Sequence, residues 1–374
     1  KPMETLMHPQ PNPIVDLGNR WQMMLALGLL VCGWLAAVPA AASQTESSPS
    51  TCRALVNIAG VPGEPEGDLE DGAMVDFVVD LRVGDQASVE VGRGMVVRDG
   101  DTTYALQRIA TEREETGPAG TVMERRWNDL VATRLPDGEP KVWLAGEPER
   151  VFPPEGNDYP YEAYRFYSVT NLVGPYLSIQ DSIHGFTGGP HGYTDDTFSL
   201  VRAPAAQPVA ADFLGDEAMA AMVTAVRLAG EARNEGGDSA ESDLDPPEDL
   251  SEAGLSFGPD GRLQLSTVLF CCTWAENHNQ LQVDATLAEV PESLQPYLTL
   301  AAAPEGDQGW WIEAPDGCGA LRLADGSEGL KVREGRGGAS QTVRLPGLEP
   351  QRLLGVYWIP ADDPFAVSML PKAP

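Results

Sequence analysis

Four side chains able to bind a metal or move a proton sit close together in one stretch, Gly174–Val201: His184, His191, Asp195 and Asp196. The chain has four histidines in all, so two of them meet here. Imidazole nitrogen with carboxylate oxygen suits zinc or a similar ion. With Tyr193 they form the candidate binding set. The signature spacing of a metallohydrolase, H-E-x-x-H, is absent. Histidines near a turn also cap backbone groups or simply face water, so His184 and His191 are weak metal candidates and no cofactor is implied. Other chemistries have less support. There is no G-x-S-x-G elbow and no S-x-x-K set. The glycine clusters Gly92-Arg93-Gly94 and Gly335-Arg336-Gly337-Gly338 read as turns and not as phosphate cradles.

The elements that must position these residues are two strands and a turn. In Tyr176–Phe186, Leu177, Ile179, Asp181 and Ile183 alternate with Ser178, Gln180, Ser182 and His184. Period two predicts one buried face and one wet face, with His184 on the wet one. Gly188-Gly189-Pro190-His191-Gly192 is turn chemistry: glycine permits positive φ and proline fixes its own. Tyr193–Val201 returns as the partner strand. The aromatic run before it (Tyr161, Tyr164, Phe166, Tyr167, with Tyr176) suits strand packing, and less often a platform for sugar rings.

Elsewhere the pattern is short strands and turns, which 39 glycines and 32 prolines favour. Strand-like stretches include 51–58, 74–81, 87–91, 95–98, 103–109 and 141–144. Residues 125–134 are ambiguous. One helix is predicted over 216–232. Met219, Met222, Val223 and Val226 share its buried face, and Asp216 and Glu217 suit its N-terminal dipole. Residues 234–253 carry eight acids and no base, and read as a solvated linker. Pro259-Asp260-Gly261 marks a hairpin turn. Short strands from 309 onward read as a closing β part. The expected class is α+β: mainly antiparallel sheet, one packed helix and a small C-terminal all-β part. The expected divisions are a leader at 1–42, a β-rich part at 43–150, an α+β part at 151–300 containing the hairpin, and a β part at 301–374.

Residues 21–42, WQMMLALGLLVCGWLAAVPAAA, follow Arg20 and end in small residues at Ala40-Ala41-Ala42. They read as a secretory leader cleaved near Ala42–Ser43. An uncleaved membrane anchor is the alternative, and lipoprotein processing at Cys32 fits poorly because bulky Val31 precedes it. Removing 1–42 takes away Lys1, Arg20, Glu4 and Asp16 and leaves the net charge at −31. Such a chain is repelled by phosphate backbones and anionic lipid, which excludes nucleic-acid binding and leaves residues 21–42 as the membrane contact if they are retained. A cationic partner is compatible with that charge.

Cys52, Cys271, Cys272 and Cys318 then remain, an even number that outside the cytoplasm suggests disulfides. Bridging adjacent residues strains the backbone. The favoured pairing therefore sends Cys271 and Cys272 separately to Cys52 and Cys318, one to each side of a sheet.

The run Phe186-Thr187-Gly188-Gly189-Pro190-His191-Gly192-Tyr193 resembles a family of secreted bacterial domains. These occur in the extracellular part of lysozyme-sensing anti-sigma factors and beside the catalytic domain of a peptidoglycan deacetylase. The family usually has Ala where Pro190 stands. The likeness extends over about 160–300, through Phe198–Val201, Val209–Leu214 and the Asp260-Gly261 strand pair. It implies a curved antiparallel sheet with a packed helix and an extracytoplasmic location. It implies no shared active site.

The expectation is an exported periplasmic or cell-surface protein, more a binding or envelope-associated protein than an enzyme, with a protein or glycan ligand. The rivals are a metal-dependent envelope hydrolase using His184 and His191, and a membrane-anchored extracytoplasmic sensor.

Overall fold

The computed structural model describes residues 52–371 except 61–75, 84–87, 118–119, 121, 149–160, 187–192, 206–208, 210–213, 236–243, 245, 271–279, 304–308, 324–328, 336–337 and 346–350. The leader-like stretch, His191, His278, Cys271 and Cys272 lie outside the described residues.

In chain order the strands begin with β1 (Cys52–Gly60), β2 (Asp76–Val83), β3 (Ser88–Arg93), β4 (Met95–Asp99), β5 (Thr102–Thr116), β6 (Val122–Arg134) and β7 (Lys141–Leu144). Next come β8 (Tyr161–Val173), β9 (Tyr176–Phe186), β10 (Tyr193–Arg202) and the helix α1 (Gly215–Glu235). Then follow β11 (Gly254–Phe257), β12 (Leu263–Phe270), β13 (Gln280–Thr286), β14 (Thr299–Ala302) and β15 (Trp310–Glu313). The chain closes with β16 (Gly319–Leu323), β17 (Leu330–Glu334), β18 (Ser340–Val343) and β19 (Gln351–Ile359). The class is the expected one, with mostly antiparallel sheets and one helix. Among the described strands only β6 and β8 pair in parallel.

These strands form four sheets. Their orders are β19-β1-β2-β3, then β10-β9-β8-β6-β5-β4 with β7 beside β6, then β11-β12-β13, then β14 through β18 in sequence. Pairing runs across the sequence-based divisions: β6 joins β8, and β1 joins β19. The described strands all fall in one compact unit, Ser48–Pro374. No helix of the described residues is long and apolar enough to cross a membrane.

β1 is buried on both faces, which explains its near-continuous apolar reading. Ala54, Val56 and Ile58 enter the main core, shared with α1 and the third and fourth sheets. Leu55 points the other way, onto Val96, Tyr357 and the C-terminal residues Phe365 and Val367. A polar system is built into that second side. Arg53 is only 4% exposed, and its Nε and Nη2 donate to the two oxygens of Asp80 on β2 at 2.9 and 2.5 Å. The same guanidinium donates to the carbonyls of Asp363 and Phe365, holding the C-terminal segment against β1. Arg98 bonds the Asp363 carboxylate at 2.9 Å.

Three expectations are corrected in detail. The buried stripe of α1 is Ala218, Met222 and Val226, an i+4 ladder, whereas Val223 is 38% exposed. The helix packs on β13, and Val223, one residue and about 100° on from Met222, turns out to water. Cysteine pairing also differs: Cys52 is bonded to Cys318, with Cα atoms 5.8 Å apart, and neither is bonded to Cys271 or Cys272. The β17·β2 contact brings the fourth sheet against the first, and Gly319 lies under the Cys52 sulfur. Nor is the acidic segment solvated throughout, since Leu250 and Ala253 are buried.

Removing one partner of a buried ion pair strands the other. Arg53→Met should therefore destabilise the protein by about 3–5 kcal/mol in urea unfolding, and Arg53→Met with Asp80→Leu should recover much of the loss. Asp363 gives a pH signature. Burial alone would raise its carboxyl, but the Phe365 N–H, the Arg98 hydrogen bond and the charges of Arg98 and Arg53 outweigh that and hold it below the ordinary value. Stability from a depressed carboxyl is present above the ordinary range and lost as pH falls through the folded value. Asp363→Asn should thus show a shallower loss of urea midpoint than wild type below about pH 4.

Candidate functional site

The two strands expected on either side of the glycine-rich turn are formed and paired, β9 with β10, from Tyr193 opposite Gly185 to Arg202 opposite Tyr176, and the turn at 187–192 lies outside the described residues. His184 lies opposite Thr194, and its Nδ1 is 3.1 Å from the Thr194 hydroxyl. Asp196 pairs with Ser182 and so shares the face of His184. Asp195 pairs with Ile183 and points to the opposite face. Both aspartates are engaged by Gln280, whose Nε2 donates to Asp195 Oδ1 at 3.1 Å while its Oε1 accepts from the Asp196 N–H at 3.2 Å. Gln280 thereby covers the open edge of β10, a structural task.

The wet face is wet at one end only. Ser178 is 1% exposed, because β11 lies over it. Its hydroxyl accepts from the Leu255 N–H at 2.7 Å and from Thr170 Oγ1 at 2.9 Å. Alternation sees one sheet, and cannot see a second sheet laid across it. The aromatic run divides in the same way. Tyr167 is buried, while Tyr164 and Phe166 share the other face with ring centroids 6.5 Å apart and Arg126 over the Tyr164 ring. Burial, then the neighbouring Glu162 and Glu124, push the Tyr164 hydroxyl well above its ordinary value against the opposing charge of Arg126. It stays neutral at physiological pH.

Among the described residues, the group with donors close enough for a metal is Cys52, Asp316 and Cys318. Its two sulfurs are bonded to each other, so they are not thiolate ligands.

A concave site lies elsewhere, where three sheets meet around Trp310. The turn after β11 sets it up. Gly261 has φ +81°, and a Cβ there would stand 3.2 Å from the Trp310 carbonyl. The Trp310 N–H donates to the Asp260 carbonyl at 2.9 Å, joining the turn to the start of β15. Gly309 has φ +91°, and a Cβ on it would lie 2.8 Å from Arg322 Nη1 and 3.2 Å from the Asp260 carbonyl. The missing methyl leaves room for the Arg322 guanidinium to run past the strand, over Trp311 at 5.5 Å from the ring centroid. On one side of Trp310 is a cavity of about 230 Å³, closed by Phe257, Asp260, Arg322 and Arg352. On the other is an open cavity of about 600 Å³, lined by Arg262, Glu289, Gln295 and Leu300. Arg262 fixes the wall between them: its Nη2 donates to the Leu287 carbonyl at 2.8 Å, and its guanidinium lies 5.4 Å from the Trp310 ring centroid.

None of these residues belongs to the set picked out by sequence. The available signals were Pro259-Asp260-Gly261 and the glycine before Trp310-Trp311. Both read only as turn and strand start, because the residues that complete the site come from β16 and β19.

A comparison with protein-family models finds no match to this chain, and a comparison with curated proteins finds none. Among solved structures, a DUF3298-family protein from Bacteroides fragilis has TM-score 0.33 and 11% identity, over 54% of this chain and 97% of that one. A DUF3298-family protein from Pseudomonas aeruginosa has TM-score 0.30 and 12% identity, over 48% of this chain and 89% of that one. Both belong to a bacterial domain family of unknown function, and a likeness this distant assigns no activity.

The geometry separates structural from decorative positions. Gly309→Ala should cost about 1–3 kcal/mol of stability, from positive-φ strain and the approach to Arg322. His184→Ala, losing one exposed contact, should stay within about 0.5 kcal/mol of wild type. Urea midpoints of the two variants check this.

Proposed function

We propose that this is an exported binding protein of the bacterial periplasm or cell surface, without catalytic activity of its own, which takes a glycan in the paired cavities around Trp310. The observation that carries the reading is the junction of three sheets at that residue, with a half-buried indole between two hollows. Ligand sites favour such junctions, and an aromatic face with a few fixed polar groups suits a sugar ring. Arg262 lies over the indole and the Asp260 turn bonds the Trp310 backbone, which supports a preformed site. Export is supported by the leader-like run Trp21–Ala42 and by the Cys52–Cys318 bridge, which persists in oxidising compartments. The strongly acidic surface keeps such a protein soluble and away from anionic lipid.

The metal-hydrolase alternative draws less support. His184 is engaged with Thr194, and Asp195 faces away from it.

Two measurements test the proposal. Intact mass of the protein recovered from the periplasm or medium of a bacterial host should correspond to a chain starting at Ser43. A chain recovered only from the cytoplasm or held in the membrane with Trp21–Ala42 would overturn export. Titration with soluble cell-wall glycan fragments should perturb indole fluorescence in wild type and fail to do so in Trp310→Ala, with the urea midpoint of the variant showing that it folds. Equal binding by both proteins removes the cavities from the reading.

A further inference from the structure

The Cys52–Cys318 bridge sits on a junction that other contacts also hold. Cys52 is 4% exposed and opens β1 opposite Val83, while Cys318 lies in the turn between β15 and β16. Val79 and Leu81 of the first sheet share one core cluster with Ile312, Leu321 and Val332 of the fourth. Gly319 extends that contact, since a Cβ there would stand 3.5 Å from Val83 Cγ1 and 3.6 Å from the Cys52 sulfur. Backbone bonds fix the turn. The Ala314 N–H donates to the Gly319 carbonyl and the Gly317 N–H to the Ala314 carbonyl, each at 2.8 Å, and the Gly335 N–H donates to the Cys318 carbonyl at 2.9 Å. Asp316 is exposed, and its Oδ1 accepts from the Cys318 N–H at 3.1 Å. The two sulfurs and a carboxylate oxygen of Asp316 all lie within 4.8 Å of one another. Arg53, next after Cys52, faces the other side of the sheet, where it is bonded to Asp80.

We infer that reduction of this bridge turns the junction into a binding site for one thiophilic divalent cation of the zinc class, held by the thiolates of Cys52 and Cys318 and the carboxylate of Asp316. The inference goes beyond the glycan reading and does not depend on it. Reduction leaves the core contacts between the two sheets in place, so the sulfurs stay opposed. Zinc takes thiolate sulfur at about 2.3 Å and carboxylate oxygen at about 2.0–2.2 Å in a tetrahedron, so its ligand atoms stand about 3–4 Å apart, within small side-chain rotations of the spacing here. Three protein ligands leave the fourth position to water, on the side where Asp316 meets solvent. Carboxylates alone suit magnesium or calcium, whereas two thiolates select zinc, cadmium or cobalt. The chemistry balances with a tertiary phosphine as reductant: the phosphine takes the oxygen of one water and leaves two thiols, and the ion then displaces both thiol protons. Binding therefore tightens as pH rises. Bridge and metal compete for the same two sulfurs, so oxidation by a second disulfide, which leaves as two thiolates, expels the ion.

The test uses the chain from Ser43 carrying Cys271→Ser and Cys272→Ser, so that only this pair can supply thiolate. Cobalt(II) is the probe, with magnesium in excess to occupy surface carboxylates. After reduction, one cobalt per chain should bind, with a thiolate charge-transfer band in the near ultraviolet and the visible bands of a tetrahedral ion, all erased by zinc. The oxidised chain should show none of them. Cys318→Ser should remove most of the charge-transfer band and weaken binding about a hundredfold, while Asp316→Asn should keep the band and weaken binding about tenfold. Near-ultraviolet circular dichroism of each form reports whether the sheets stay packed. Equal cobalt binding by oxidised and reduced chains, or binding insensitive to Cys318→Ser, overturns the site in favour of surface acids. A reduced chain with native dichroism and no thiolate band overturns it as well. Loss of native dichroism on reduction also overturns it, by showing that the bridge and not the core holds the sulfurs together. Unchanged affinity in Asp316→Asn overturns the carboxylate as a ligand.

Discussion

The guanidinium of Arg53 is a charge placed where water cannot reach it, and the first sheet is arranged to satisfy it. An isolated ion in that position would be prohibitively unfavourable, so its donors must all be met at once. Asp80 meets them from the neighbouring strand, and the carbonyls of Asp363 and Phe365 meet them from the far end of the chain. That requirement fixes the register of β1 on β2 and seats the C-terminal segment on the back of the sheet. It also lets β1 be apolar on both sides. Leu55 and Ile58 are each fully buried, in different cores.

With β1 and β19 fixed together, the third and fourth sheets have a surface to meet. The site around Trp310 is a product of that meeting and of no single element. Phe257 comes from the end of β11, Asp260 from the β11–β12 turn, Arg322 from β16 and Arg352 from β19. Two glycines make the approach possible, and one tryptophan fills part of the space and leaves a hollow on each side. Arg322 lies over the Trp311 ring, 5.5 Å from its centroid, and Arg352 stands opposite Ala59 near the start of β19.

Much of the secondary structure was legible because it depends on local periodicity. β9, β10 and α1 stand within a few residues of where alternation and the 3.6-residue period place them. What was not legible depends on contacts far apart in sequence. Ser178 alternates like a wet residue and is buried, because β11 is laid on it. Val223 belongs to the apolar stripe by spacing and is left outside, because the buried stripe runs through Ala218, Met222 and Val226. Residues 125–134 looked ambiguous because a fully buried arginine breaks the usual pattern. Arg125 is 1% exposed, paired with Glu115 and Glu147 and lying over Trp127. The cysteine pairing was misjudged for a similar reason: avoiding a strained adjacent bridge says nothing about which sheets come to lie together. As for the site, histidines and aspartates attract attention by type, whereas an arginine–tryptophan cavity assembled from four strands has no local signature.

The pairing of β1 with β19 also bears on how the molecule is made. A chain grows from its N-terminus, so the first strand waits for the last one before its sheet can close. The Cys52–Cys318 bridge spans 266 positions, and the Arg53–Phe365 contact spans 312. Contacts this distant close large loops and slow the search for the native state. Until they form, β1 is an apolar strand with an open edge, the kind of surface on which unfinished chains associate. The acidic residues between these ends then have a second use. They keep the incomplete chains repelling one another during the interval in which the first strand has no partner on its C-terminal side.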